Sequence, residues 1–571
     1  MTHKRQGLTR YFVWQAGLAV LGIALVFLVL FQFVSTVPVE PTPEVQIVRG
    51  GTYVEGVVGY SETINPILAP RMAPANPVDQ DLSSLVFEGL TSLDASGQIS
   101  PALALDWEVS EDGSVYEFRL RQGVTWHDGA PFSADDVAFT VQAIQDPDYE
   151  GDPNLNALWR NVSVFEVDNY TVRFTLDEPF PSFLYYTTIG LLPAHLLGNV
   201  PAAGLARHPF STEAPVGTGM FQVESIAPDR VILSANPSYW GTKPQLDGME
   251  FWFYGTWDAL LTDYELGEVH GFHPSNLEEL LGLVGLPDLR LYAAPTAGYG
   301  IAFLNLQRDS VAFFQEQEVR QALLYGIDRQ MLIDDILGGQ GLVAHSPIVP
   351  MSWAYDPAIR QYSYDPERAI GLLDSVGWMD SNGDRVRDRD GTDLAFTLLV
   401  GDDPLAVQLA EAMSRQWQAI GIGVELRPVS TDVANRFVRS RNFDAALVEV
   451  DLTADTDPYP LWHSTQIESG QNFAGFQNEE ADLVMEAIRS TTDAERQLEL
   501  YHEFQRIFAE QVPSLLLYYP IYTYAVSSEV NGVQLAPLLH NSDRFRNVED
   551  WYMSLEVISA DGSSALDKSS Q

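Results

Sequence analysis

The chain has 571 residues, 46% of them hydrophobic and 19% charged, with a formal net charge of −46 and no cysteine. A single core stops growing at roughly 250–300 residues, so two or more lobes are expected. The negative field argues against a nucleic-acid partner, and the missing cysteine excludes disulfides, thiolate zinc sites, cysteine nucleophiles, iron–sulfur ligation and a lipidated N-terminal cysteine.

Lys4, Arg5 and Arg10 precede an uncharged, mostly apolar run from Phe12 to Val34. About 20 such residues cross a bilayer, and a basic flank stays cytoplasmic, so the run predicts a transmembrane anchor with the body outside. The competing reading is a cleaved secretory signal, for which Val34-Ser35-Thr36 is a weak site. Pro38, Pro41 and Pro43 then stiffen a linker.

Further on, Tyr116, Phe118 and Leu120 alternate with charged residues, as Tyr170, Val172, Phe174 and Leu176 alternate with polar ones, and both read as half-buried strands. Ser133 to Asp136 resembles a capping box ahead of the helix face Val137, Val141 and Ile144. Phe221–Ile226 and Val231–Ala235 flank Pro228-Asp229 as a hairpin. In the second half, Asp365-Pro366 caps a helix that Gly377 ends. Strand 394–400, helix 405–420, strand 422–427, helix 433–439 and strand 443–450 alternate as in an α/β lobe with a mostly parallel sheet. Helices near 479–489 and 493–511 follow, then two strands, 515–519 and 523–526.

Leu85-Val-Phe-Glu-Gly-Leu-Thr91, Pro101-Ala-Leu-Ala-Leu-Asp-Trp-Glu108 and the stretch Gly113 to Val137 containing Gly123-Val-Thr-Trp-His-Asp-Gly129 occur in that order. Gly217-Thr-Gly-Met-Phe221, Asn236-Pro-Ser-Tyr-Trp240, Val319 to Asp328, Tyr501 to Ile507 and Val512 to Tyr518 continue the series. The ordered set resembles the dipeptide/oligopeptide-binding family (family 5) of ABC-transporter extracellular solute-binding proteins. The resemblance spans about Gly50 to Tyr552. It implies an α/β, two-lobed periplasmic-binding-protein-like clamshell of the class with an extra subdomain, here preceded by one N-terminal transmembrane helix.

The resulting plan is a cytoplasmic N-terminus 1–11, an anchor 12–34 and a linker 35–49. Lobe I is 50–92, 215–306 and 521–556, its extra subdomain 93–214, lobe II 307–520, and a flexible tail 557–571. The implied function is capture of peptides or similar small solutes by hinge closure and delivery to ABC permease subunits. It implies no catalysis, no cofactor and a monomer. A membrane-anchored sensor or chaperone-like binder, or a surface hydrolase using a carboxylate pair, are the alternatives.

Asp455 is the candidate partner for a peptide's α-amino group, because its segment Leu452-Thr-Ala-Asp-Thr-Asp-Pro458 resembles the family's Ala-Asp…Asp-Pro stretch. The family's Trp near Asp451-Leu452 is absent. Asp457 reads as a turn residue before Pro458. Trp462, Phe473 and Tyr299 are candidate aromatic walls, with core packing as the alternative. Arg71, Met72 and Ala73 lie in a loop resembling the family segment that lends main chain to the ligand. Asp380 to Gly391 suggests a calcium loop, but Arg385 and Gly391 occupy positions that need Gly and Glu, so a solvated acidic turn is expected. His270 and His273 are expected at the surface rather than on a metal. No metal-hydrolase, P-loop, nucleophile-elbow or dinucleotide motif is present in the sequence.

Overall fold

The computed structural model describes residues 44–69, 76–94, 97–180, 182–452, 457–491, 493–558 and 564–566. The expected cytoplasmic segment and anchor, 1–34, lie outside them. Among the described residues no helix is long and apolar enough to cross a membrane.

Contacts divide the chain into two compact units. In the smaller one, Glu44–Val48 pairs antiparallel with Ser554–Ile558, which pairs in turn with Ser564–Leu566. The stretches read from sequence as linker and tail therefore each contain a strand. Main-chain pairing needs no apolar pattern, so periodicity does not reveal it.

The larger unit, Arg49–Met553, holds two large apolar cores. One is built from residues between Tyr53 and Phe251, then from Ala294 and residues between Tyr522 and Trp551. The other lies between Tyr299 and Tyr519. They are the cores of lobe I and lobe II.

In lobe I, Thr52–Val58 runs parallel to both Gly248–Tyr254 and Gly271–Phe272. The predicted hairpin, Phe221–Ala227 with Arg230–Ala235, extends that sheet. A separate antiparallel sheet orders Ala104–Val109, Val115–Leu120, Thr171–Leu176 and Val162–Asp168. Helix Ala134–Gln145 packs on it, with the Asp136 carboxylate accepting the Ser133 amide at 2.9 Å. The predicted capping box is thus formed.

In lobe II, Gly423–Val429, Ala395–Gly401 and Ala445–Asp451 are parallel, as the βα alternation requires. Gly298–Leu304 then enters antiparallel to Ala445–Asp451, with every residue buried. It comes directly from lobe I without a crossover helix, so antiparallel entry costs no extra chain. Local punctuation behaves as expected. The Asp365 carboxylate accepts the Arg368 amide at 2.9 Å, and Gly377 supplies the positive φ of 84° that ends the helix.

The two strands expected at 515–519 and 523–526 are one, Ser514–Ser527. Pro520 hides this in the sequence, because proline normally interrupts a ladder. Here its carbonyl accepts the Thr296 amide at 3.0 Å. The first part of the strand pairs with Gly298–Leu304 and the last part with Leu289–Pro295, so one strand serves both lobes.

Candidate functional site

A cavity of about 310 Å³ lies between the lobes. From lobe I it is bordered by Gln98, Tyr185 and Leu539, and from lobe II by Ile348, Met351, Trp353, Leu461 and Trp462. Tyr299 stands where the chain crosses from one lobe to the other. Pockets that hold whole small ligands span roughly 300–1,000 Å³, so this one is at the small end.

Tyr299 and Trp462 both border the cavity and are each only 1% exposed. Tyr299 is fixed by its all-buried strand. Its hydroxyl stands near the Trp462 indole but makes no hydrogen bond of proper geometry, and burial pushes its pKa up. Trp462 is held edge-on against Phe508 at 4.7 Å between ring centroids, in a short helix, Tyr459–Trp462. Phe473 does not border the cavity. It packs on the lobe II core, edge-on to Phe303 at 5.8 Å and beneath the Arg441 guanidinium. Asp455, Arg71, Met72 and Ala73 lie outside the described residues. In sequence, Asp455 falls between Leu452 and Asp457, which both border the cavity.

Asp457 makes the Asx turn its position before Pro458 predicts, one carboxylate oxygen accepting the Tyr459 amide at 3.0 Å. The other accepts from Arg489 at 2.7 Å, and the Arg489 guanidinium stacks over the Tyr459 ring at 3.8 Å. Its charge is therefore already compensated.

Sequence reading did not find Glu449 and Asp451, at the end of the strand Ala445–Asp451 that precedes the Asp455 segment. Side-chain alternation places them on the opposite face from Val450 and Leu452. The Glu449 carboxylate accepts the Tyr518 hydroxyl at 2.6 Å. Surrounding protein desolvates both acids enough to raise their pKa values, while their side chains stay exposed. Alternating acid and aliphatic residues at a strand end is a signal that was legible in Val448 to Leu452.

Two expectations about other groups resolve differently. His270 and His273 are half-buried rather than freely exposed. The His270 ring accepts the Val54 amide at 2.9 Å, while His273 donates to the Thr523 carbonyl at 2.8 Å and stacks on Tyr522 at 4.2 Å. Burial lowers both pKa values. The Asp380–Gly391 loop closes on itself. Asp380 accepts the Gly383 and Arg385 amides, and Asp388 accepts the Ser381 amide and hydroxyl. Among the described residues no group of three or more His, Asp or Glu side chains is arranged to hold a metal.

A profile of the bacterial extracellular solute-binding proteins, family 5, matches residues 98–472. The chain belongs to that family. Family members are binding proteins that work outside the cytoplasm. The oligopeptide-binding protein AppA of Bacillus subtilis is 28% identical over 519 residues, covering 89% of this chain and 92% of its own. A dipeptide-binding protein of Escherichia coli is 28% identical over 477 residues, covering 79% of this chain and 86% of its own. The solved structure of AppA from Bacillus subtilis in complex with a nonapeptide superposes with a TM-score of 0.69 at 26% identity, over 89% of this chain and 100% of that one. The α/β two-lobed architecture of this family 5 protein is thus that of periplasmic binding proteins.

Proposed function

We propose that this family 5 protein captures peptides, or solutes of similar size and polarity, between its lobes and delivers them to the permease subunits of an ABC importer. The observation that carries the reading is the cavity with walls from both lobes and Tyr299 at the crossing. The peptide-binding relatives named above support it. A ligand touching both lobes favours the conformation that brings them together, which is how such a guest shifts a two-state equilibrium. An extended peptide satisfies its backbone by strand-like pairing, which leaves side-chain pockets to set preference. The role is binding rather than catalysis, by a monomer and without a cofactor. The run 12–34 serves as a single-pass anchor that keeps the body at the outer face of the membrane.

In this reading Asp455 is the counter-charge for the peptide's α-amino group, and Arg71, Met72 and Ala73 lend main chain to the ligand. A charge buried with its ligand needs a fixed partner. Asp455→Asn is expected to weaken a free-amine tripeptide by roughly tenfold or more, the scale of a lost charge-assisted hydrogen bond. The N-acetylated tripeptide should change little. Calorimetric titration of both peptides measures this, and equal weakening removes Asp455 from the role.

A further inference from the structure

Resting on the peptide-binding reading, we infer that the Tyr299–Trp462 cavity is a selectivity pocket for one uncharged, aromatic side chain of the ligand, with the Tyr299 hydroxyl as its polar contact. Three observations converge on this. The cavity is small, about 310 Å³, which suits a large side chain rather than a whole long peptide. Its walls include Tyr299, Ile348, Met351, Leu461 and Trp462, groups that favour apolar and aromatic partners.

Charge is the second point. The one acidic side chain among the described wall residues, Asp457, is engaged by Arg489 and by the Tyr459 amide. No basic side chain is among the described wall residues. With Asp455 taken by the α-amino group, a lysine, arginine, aspartate or glutamate side chain entering the cavity would lose water without gaining a counter-ion from the described walls.

The third point is the Tyr299 hydroxyl. It is buried with no open surface in this conformation and makes no hydrogen bond among the described residues, so a ligand oxygen reaches it only when the walls shift as the lobes close. Buried polar atoms are almost always paired, and a site that pairs its polar atom only with the right ligand discriminates far better than one that is merely apolar. A ligand oxygen at the tip of the side chain would accept from it. Tyrosine offers such an oxygen and phenylalanine does not.

The test is calorimetric titration of the purified full chain with trialanine and with tripeptides carrying Phe, Tyr, Glu or Lys at each position among alanines. At one position the Tyr and Phe peptides are expected to bind at least about tenfold tighter than their Glu and Lys counterparts, with Tyr ahead of Phe. Tyr299→Phe should abolish the Tyr-over-Phe preference and leave the Phe peptide within about threefold. Ser352→Trp, on a half-buried wall residue, should narrow the space and weaken the aromatic peptides more than trialanine. Equal affinities at every position, or a preference for charge, with trialanine still bound would overturn this inference and leave the peptide-binding reading standing. Failure of every peptide to bind would sink that reading, and this inference with it.

Discussion

The two lobes bury guanidinium groups in opposite ways. In lobe I, Arg544 is held by carboxylates. It donates to Asp81 at 2.8 and 2.6 Å and to Glu55 at 2.8 Å, while Glu55 also accepts the Tyr53 and Tyr524 hydroxyls at 2.7 and 2.6 Å. Burial alone would lower the Arg544 pKa, but attraction to Asp81 and Glu55 raises it well above its ordinary value. In lobe II the buried Arg320 and Arg329 have main-chain partners instead. Arg320 donates to the carbonyls of Phe314, Gln511 and Val512, and Arg329 to those of Ala344, Leu516 and Tyr362. Burial brings both down to about 10. Carbonyl dipoles satisfy the donors without neutralising the charge, whereas two carboxylates overcompensate it. Lobe I is therefore held by a cluster that depends on ionisation, and lobe II by geometry.

Three substitutions break this contrast to different depths. Arg544→Met should cost the most, about 3–5 kcal/mol, because it strands two buried carboxylates. Chemical denaturation of the purified protein reads this as a lower midpoint, and the added replacement Asp81→Asn should recover part of the loss. Arg329→Met is expected to cost about 2–3 kcal/mol, since the freed carbonyls lose donors but no opposite charge is left alone. Denaturation midpoints should fall by a similar amount across pH 6 to 8. A loss for Arg329→Met equal to that for Arg544→Met would erase the distinction between the lobes.

The third effect depends on pH. Glu88 in lobe I accepts the Tyr239 hydroxyl at 2.8 Å and the Trp240 indole at 2.9 Å, and burial raises its pKa to about 7. Its unfolded value is near 4.3. Between those values the folded state binds more protons than the unfolded one, so this group's contribution to stability falls as pH rises from about 4.5 to about 7. Glu88→Gln should remove that slope, gaining up to about 2–3 kcal/mol over wild type at pH 8 and little at pH 4.5. Midpoints measured across that range decide it, and parallel curves for the two proteins would contradict the assignment.

Local signals in the sequence were legible. Asp365-Pro366 and Gly377 delimit their helix, and Ser133 with Asp136 caps another, because each depends on residues a few positions apart. Family motifs carried the two-lobed architecture. Pro520 concealed a continuous strand, since its tolerance depends on which carbonyls and amides its neighbours present. Tyr299 could be named as an aromatic near the crossing and Trp462 as one that follows the Asp455 loop, but their shared cavity depends on segments of both lobes. Phe473 carried the same signal and packs into the core, because residue type alone does not distinguish a cavity wall from a core face. Arg544 and its partners were invisible, as no periodicity links residues 463 and 489 positions apart.

That separation has a consequence for how the molecule is made. Glu55 and Asp81 leave the ribosome 463 or more residues before the cation they enclose. At roughly 5–20 residues per second the delay is on the order of half a minute to a minute and a half. The Arg544 cluster of lobe I therefore cannot close until nearly the whole chain has been made. For a polypeptide bound for translocation as an unfolded thread, late closure keeps the early half exportable.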